Sequence, residues 1–309
     1  MPEDGLVTYR HNIELRPSDS EAVARLDRLL EAAERWDELA AHIDFQIGNA
    51  VDERAALELR QRLGSLTETR LGNPAGALDV FEDVLADQPS YAPSLDSVSR
   101  FIEDEDHGPR AVQILEPIYR QSDNWQALIV VLDAKAHQTD EDLDRAETWR
   151  EVGRLYEDRA ASADKAFVAW GKALVADPAD EATRAEVDRL VESLGAWETY
   201  IETCEAAAAA TDEPALRGSF LRSVAETEDR ELGDPRASIT TYRRVLEADP
   251  DAEHTLDDLD GLQVMVGDWE GLSWVYEQKL ERAHDPGPRA DLLCRLGGLW
   301  EEQLANPEQ

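Results

Sequence analysis

"LGNPAGALDVFEDVLADQP" (71–89) and "LGDPRASITTYRRVLEADP" (232–250) are two versions of one phrase, set 161 residues apart. Each opens on Leu-Gly, continues with Asn or Asp and then Pro, places an aromatic seven residues later and closes on a second Pro. Asn or Asp followed by Pro is a helix start. The side chain caps unpaired N–H groups of the first turn, and Pro loses nothing there because its missing N–H would have had no partner. Apolar residues at i, i+3, i+4 and i+7 then argue for amphipathic helices rather than strands. The phrase is a joint leading into a helix, and its recurrence calls for a period.

Two independent landmarks supply one. The helix-ending prolines Pro17, Pro89, Pro178 and Pro250 are spaced 72, 89 and 72. The tryptophans that open amphipathic runs, Trp36, Trp125, Trp197 and Trp269, are spaced 89, 72 and 72. Both sets fit a 72-residue period with one 17-residue insertion between Pro89 and Trp125. Other positions obey the same lattice. Small residues recur at Gly64, Gly153, Ala225 and Gly297, and aromatics at Tyr9, Phe81, Trp170 and Tyr242. Leu85, Leu174 and Leu246 follow with Ile13, and the turn prolines are Pro2, Pro74, Pro235 and Pro307, with Ala163 in the one exception. Each period reads as four helices in two hairpins of about 36 residues. The periods run about 2–73, 74–162, 163–234 and 235–306 within a single array over 1–309. In the third, helices are expected near 181–194, 197–210, 214–231 and 235–248. The insertion adds a helix near 109–120, within 104–122, entered through "EDEDHG" (103–108).

The hairpin "VGRLYEDRAASADKAFVAWGKALVADP" (152–178) resembles a tetratricopeptide repeat (TPR). Ala166, Trp170, Ala173 and Pro178 stand at that family's spacing for its second helix. Gly153 and Tyr156 match its first-helix glycine and tyrosine but lie one residue early, so the turn is one residue longer. The alternate hairpins are more degenerate. The resemblance implies an all-α, right-handed superhelix of stacked helical hairpins without a sheet, a degenerate bacterial-type array. It also implies a binding role and no catalytic residues.

Composition narrows the partners. With 31 basic against 68 acidic residues the net charge is −37, a field that repels phosphate backbones and anionic membranes. Nucleic acid and direct membrane insertion are therefore set aside, while a protein or peptide, a basic one among the options, is kept. The acidity reads equally as a solubility device. Cys204 and Cys294 lack any paired spacing and read as small buried hydrophobes in a reducing compartment. No signal peptide is visible, so a cytoplasmic location is expected.

No nucleophile elbow, phosphate loop or metal-ligand spacing occurs, so no catalytic, cofactor or metal site is expected, and no enzyme. The acidic "EDEDH" (103–107) is the densest potential ligand cluster and reads as a solvated turn. The lattice tryptophans are expected to pack between hairpins, and Tyr91, Trp149, Tyr200 and Trp274 to favour the core.

By the TPR resemblance, the first helices of the hairpins, near 20–33, 54–71, 92–103, 144–160, 181–194, 214–231, 253–266 and 288–303, would line the binding surface. Arg25, Arg28, Arg60 and Arg62 make the first two locally basic. The carboxylate-gripping Lys and Asn known in some TPR proteins have no counterpart here. The expected function is a non-catalytic protein-interaction scaffold. The alternatives are a spacer or self-assembly module and an accessory subunit of an enzyme. Pro2 and Pro307 are lattice equivalents, so a segment of a longer array is also expected. The last helix, 288–304, should then seek a cover, from a further copy for example.

Overall fold

The computed structural model describes residues 19–252 and 254–303, together with Tyr9. The expected landmarks Pro2, Ile13, Pro17 and Pro307 lie outside the described residues. Among those described there are sixteen α-helices and no strand, in two compact bodies, 1–138 and 139–309. The chain is all-α, and both bodies are built from helical hairpins.

The N-terminal body holds α1 (Ser20–Ala32), α2 (Trp36–Gly48), α3 (Glu53–Thr69), α4 (Pro74–Asp87), α5 (Ala92–Ser99), α6 (Gly108–Gln121) and α7 (Trp125–Gln138). The helices α3 and α4 run antiparallel. Arg60 near the start of α3 pairs with Asp87 at the end of α4, while Gly64 faces Phe81 midway. Leu26, Leu30, Leu39 and Ile43 form a dry core between α1 and α2, each worth roughly 1.5–3 kcal/mol of burial.

The C-terminal body holds α8 (Asp142–Asp158), α9 (Ala163–Ala176), α10 (Glu181–Leu194), α11 (Trp197–Ala210), α12 (Pro214–Arg230), α13 (Pro235–Ala248), α14 (Thr255–Val266), α15 (Trp269–Arg282) and α16 (Pro286–Glu302). The four helices of the third period fall within one residue of their expected bounds. Their core is one continuous cluster that includes Phe167, Trp170, Val187, Leu190, Phe220, Val224 and Val275.

The backbone carries the period too. Gly72, Ala161 and Gly233 have positive φ (60°, 48° and 66°), each two residues before the helix that bears the row aromatic. Glu34, Asp123, Gly195 and Gly267 do the same (53°, 55°, 67° and 71°) ahead of each lattice tryptophan. Seven of the eight described left-handed residues thus fall on two lattice series, His254 being the exception. The phrase that opened the sequence now has a structural content. Gly turns the chain, Asn73 or Asp234 caps the next helix through Gly76 N or through Arg236 N and Ala237 N, and Pro starts it.

The insertion shows where sequence spacing and packing part. The first helix expected over 92–103 stops at Ser99, because Asp104 Oδ1 accepts from the backbone N–H groups of Asp106 and His107 and closes a turn. Even so, α5 keeps the first-helix place, with Gln61 of α3 bonded to Ser94 and Ser97. The helix α6, by contrast, lies on the second helix α4, where Arg110 pairs with Glu82 and stands 3.8 Å from Asp79.

Candidate partner-binding face

In the C-terminal body the first helices α8, α10, α12 and α14 lie side by side, tied by one arginine per step. Arg150 of α8 donates to Thr183 Oγ1 (2.9 Å) and also reaches Asp177 and Asp180 (2.5 and 3.0 Å). Arg184 of α10 donates to Ser219 and Ser223 of α12 (both 2.9 Å). Arg222 of α12 reaches Asp258 (2.7 Å) and Thr255 (2.5 Å) at α14. Burial opposes the charge of Arg150, but the bonds to Asp177 and Glu147 and the field of Asp180 outweigh it and raise its pKa above the ordinary value. The N-terminal body repeats the device, with Arg62 of α3 bonded to Asp27 (2.6 Å) and Glu31 (2.8 Å) of α1. Charge-assisted bonds of this kind fix register between neighbouring helices more than they add stability.

Between α8 and α10 a cleft of about 520 Å³ opens. Trp170 of α9 contributes an apolar wall, and its indole N–H donates to Glu157 Oε2 (3.0 Å). Arg189 pairs with Glu157 and Glu186, both at 2.6 Å. Arg154 stands 5.8 Å from the Trp170 ring centroid and only 3.7 Å from Glu147, with its side chain 55% exposed. The rim therefore offers both signs of charge above a floor at which Trp170, 5% exposed, shows little of its ring. Such a site suits an extended chain segment with alternating polar groups better than a small apolar molecule.

Arg25 bonds Glu21 and the Tyr9 hydroxyl, Arg60 pairs with Asp87 and Arg62 is bonded as above, so three of the four N-terminal arginines are engaged within the body. Arg28 is exposed. In "EDEDH", Asp104 is taken up by the turn and by the His107 ring nitrogen (2.8 Å). Among the described residues no group of three or more His, Cys, Asp or Glu side chains is arranged to hold a metal ion. Trp36, Trp125, Trp197 and Trp269 are half-buried, Trp149 and Tyr200 are core, Tyr91 is half-buried and Trp274 is 36% exposed.

One expectation is corrected. Cys204 is buried, and burial pushes its thiol pKa up to about 12, but Cys294 is exposed because the face of α16 that carries it is uncovered among the described residues. Sequence reasoning also missed the arginine ladder. Its signal was present, as Arg150 and Arg222 are lattice equivalents.

Among the described residues no helix is long and apolar enough to cross a membrane. No family model matches the chain, and no curated protein matches it in sequence. It is similar to the solved TPR domain of P58(IPK), at 13% identity over 100% of this chain and 95% of that one, with a TM-score of 0.27. A human IFIT1 dimer with m7Gppp-AAAA is 11% identical over 100% and 68%, with a TM-score of 0.35. The APC/C hetero-tetramer Cut9–Hcn1 is 11% identical over 96% and 52%, with a TM-score of 0.30. The hairpin stacking described above rests on the chain's own contacts, not on these superpositions.

Proposed function

We propose that the chain is a non-catalytic interaction scaffold that binds a protein or peptide segment along the first-helix row of the C-terminal body. The observation that supports it is the cleft between α8 and α10. It lies in a row of helices held in register by arginines, with charged groups of both signs around Trp170. With a net charge of −37, a basic segment is attracted from a distance, and Glu186 and Asp158 would meet its cations. Arg154 and Arg189 would meet its carboxylates or backbone carbonyls.

The test is a peptide panel of basic, neutral and acidic segments, read by fluorescence anisotropy against the whole chain. Basic segments should bind, more weakly at higher salt, and Glu186→Lys together with Asp158→Lys should weaken them about tenfold or more, some 1.4 kcal/mol. Binding that ignores both substitutions, or a panel with no binder of any charge, would turn the reading towards a spacer.

A further inference from the structure

We propose that α14 is a gate in the first-helix row: it unwinds and refolds locally while the helices on either side of it stay in place. The repeat lattice shows what this helix lacks. Leu30 of α1, Val191 of α10 and Gln263 of α14 stand 161 and 72 residues apart, at one lattice position. Leu30 and Val191 are core side chains at 0% and 2% exposure, and Gln263 is at 0% as well. Its amide carries donors and an acceptor into that core, and neither Nε2 nor Oε1 has a hydrogen-bond partner. Four residues earlier the same alignment gives Leu26, Val187 and Leu259, all buried, so the register holds around the glutamine. Opposite it on α15, Gly271 leaves the room that the amide fills, since a Cβ there would lie 2.6 Å from Nε2. A buried polar group without a partner gives up its hydration for nothing, and so favours any state in which α14 is open to water.

The start of α14 is deficient in a separate way. Asp19 and Asp180 cap α1 and α10, accepting from Ala22 N and from Ala182 N and Thr183 N. Ala252 holds their lattice position, and its methyl group can accept nothing. The N-cap place falls to His254, which makes no side-chain capping bond and sits at φ 64°, a left-handed conformation disfavoured for a residue with a Cβ. Beside it lies a cleft of about 370 Å³ lined by Ala252, His254, Leu256, Lys279 and Arg282 among others.

Neighbouring cations help to hold α14 in place. Lys279 of α15 pairs with Asp257 and Asp260, both at 2.8 Å, and Arg222 of α12 reaches Asp258 and Thr255. Unwinding of α14 releases that Arg222 clasp and takes one helix out of the row. It also uncovers Tyr242 and Val245 of α13, which share a core with Leu259 and Leu262. The gate therefore sets how many first helices the row presents at once.

Hydrogen exchange of the whole chain, followed by mass spectrometry, reads this helix by helix. Amides of α14 should be protected about tenfold less, or worse, than those of α10, α12 and α15. Fraying from the C-terminal side would give the opposite order, with α15 less protected than α14. Gln263→Val, which restores the residue of α10, should raise α14 protection about tenfold or more, and Ala252→Asp should raise it severalfold. Both should leave α8, α9 and α10 unchanged. Equal protection of α14 and α12, the fraying order, or a Gln263→Val chain whose α14 exchanges as before would each overturn the proposal. Neither Ala252 nor Gln263 lines the α8–α10 cleft, so the gate and the binding face stand or fall separately.

Discussion

Gly153 and Gly297 are lattice equivalents placed in opposite surroundings, and so predict opposite signs for one substitution. Gly153→Ala drives a methyl into the Trp170 ring and should cost about 1–3 kcal/mol as overpacking. Gly297→Ala meets open space in a helix interior and should gain about 0.5–1 kcal/mol by helix propensity. Urea unfolding of dilute protein reads both, and equal signs would contradict the packing described. Glu228 on α12 gives a pH-dependent case. Its Oε2 is buried without a hydrogen-bond partner, and burial, helped by Glu205 and Asp234, raises its pKa against the bond from Thr241. An acid with a raised folded pKa destabilises the fold above that pKa and ceases to do so below its unfolded value. Glu228→Gln should therefore raise the melting temperature at neutral pH, and the gain should fade as the pH falls through the ordinary glutamate range. A gain that persists in acid would mean that charge is not its source.

At the scale of elements, the joints decide where helices begin. In the second period the turn lacks all three features of the opening phrase: Ala161 stands for Gly, Ser162 makes no capping bond, and Ala163 stands for Pro. Ala161 nevertheless adopts φ 48°, a left-handed conformation that costs an L-residue roughly 1–2 kcal/mol. Ala161→Gly should recover about 1 kcal/mol of that, measured as a shift in the unfolding midpoint, whereas Gly72→Ala should lose a similar amount. The helices of the third period were legible in the sequence because apolar spacing marks all four, Asp180 and Asp234 cap two of them, and Pro214 and Pro235 start two. The place of α6 was not. Period counting marks it only as an extra helix, while its pairing through Arg110 to Glu82 lays it on the second helix α4. That contact joins residues 28 apart and leaves no mark in local periodicity. The candidate face was half legible. Its helices could be named, but the cleft depends on which carboxylate each arginine meets, and pairs at helical spacing are too common at this charge density to single out.

For the whole molecule, charge is the dominant global term. With 68 acidic and 31 basic residues, like-charge repulsion acts on every folded copy even though many arginines are locally paired. Raising sodium chloride from very low to about physiological ionic strength, where the screening length is about 8 Å, should raise the melting temperature. A fall would mean that the paired arginines outweigh the surplus carboxylates. The left-handed residues at 72, 161 and 233 have a last consequence, for the history of such a chain. Each is a point where one helix has ended and the next has not begun, with the same backbone conformation at every occurrence. Crossing over between two of these points joins ends that already fit. A gene of this kind can thus gain or lose whole periods by unequal recombination, without any turn having to be invented anew.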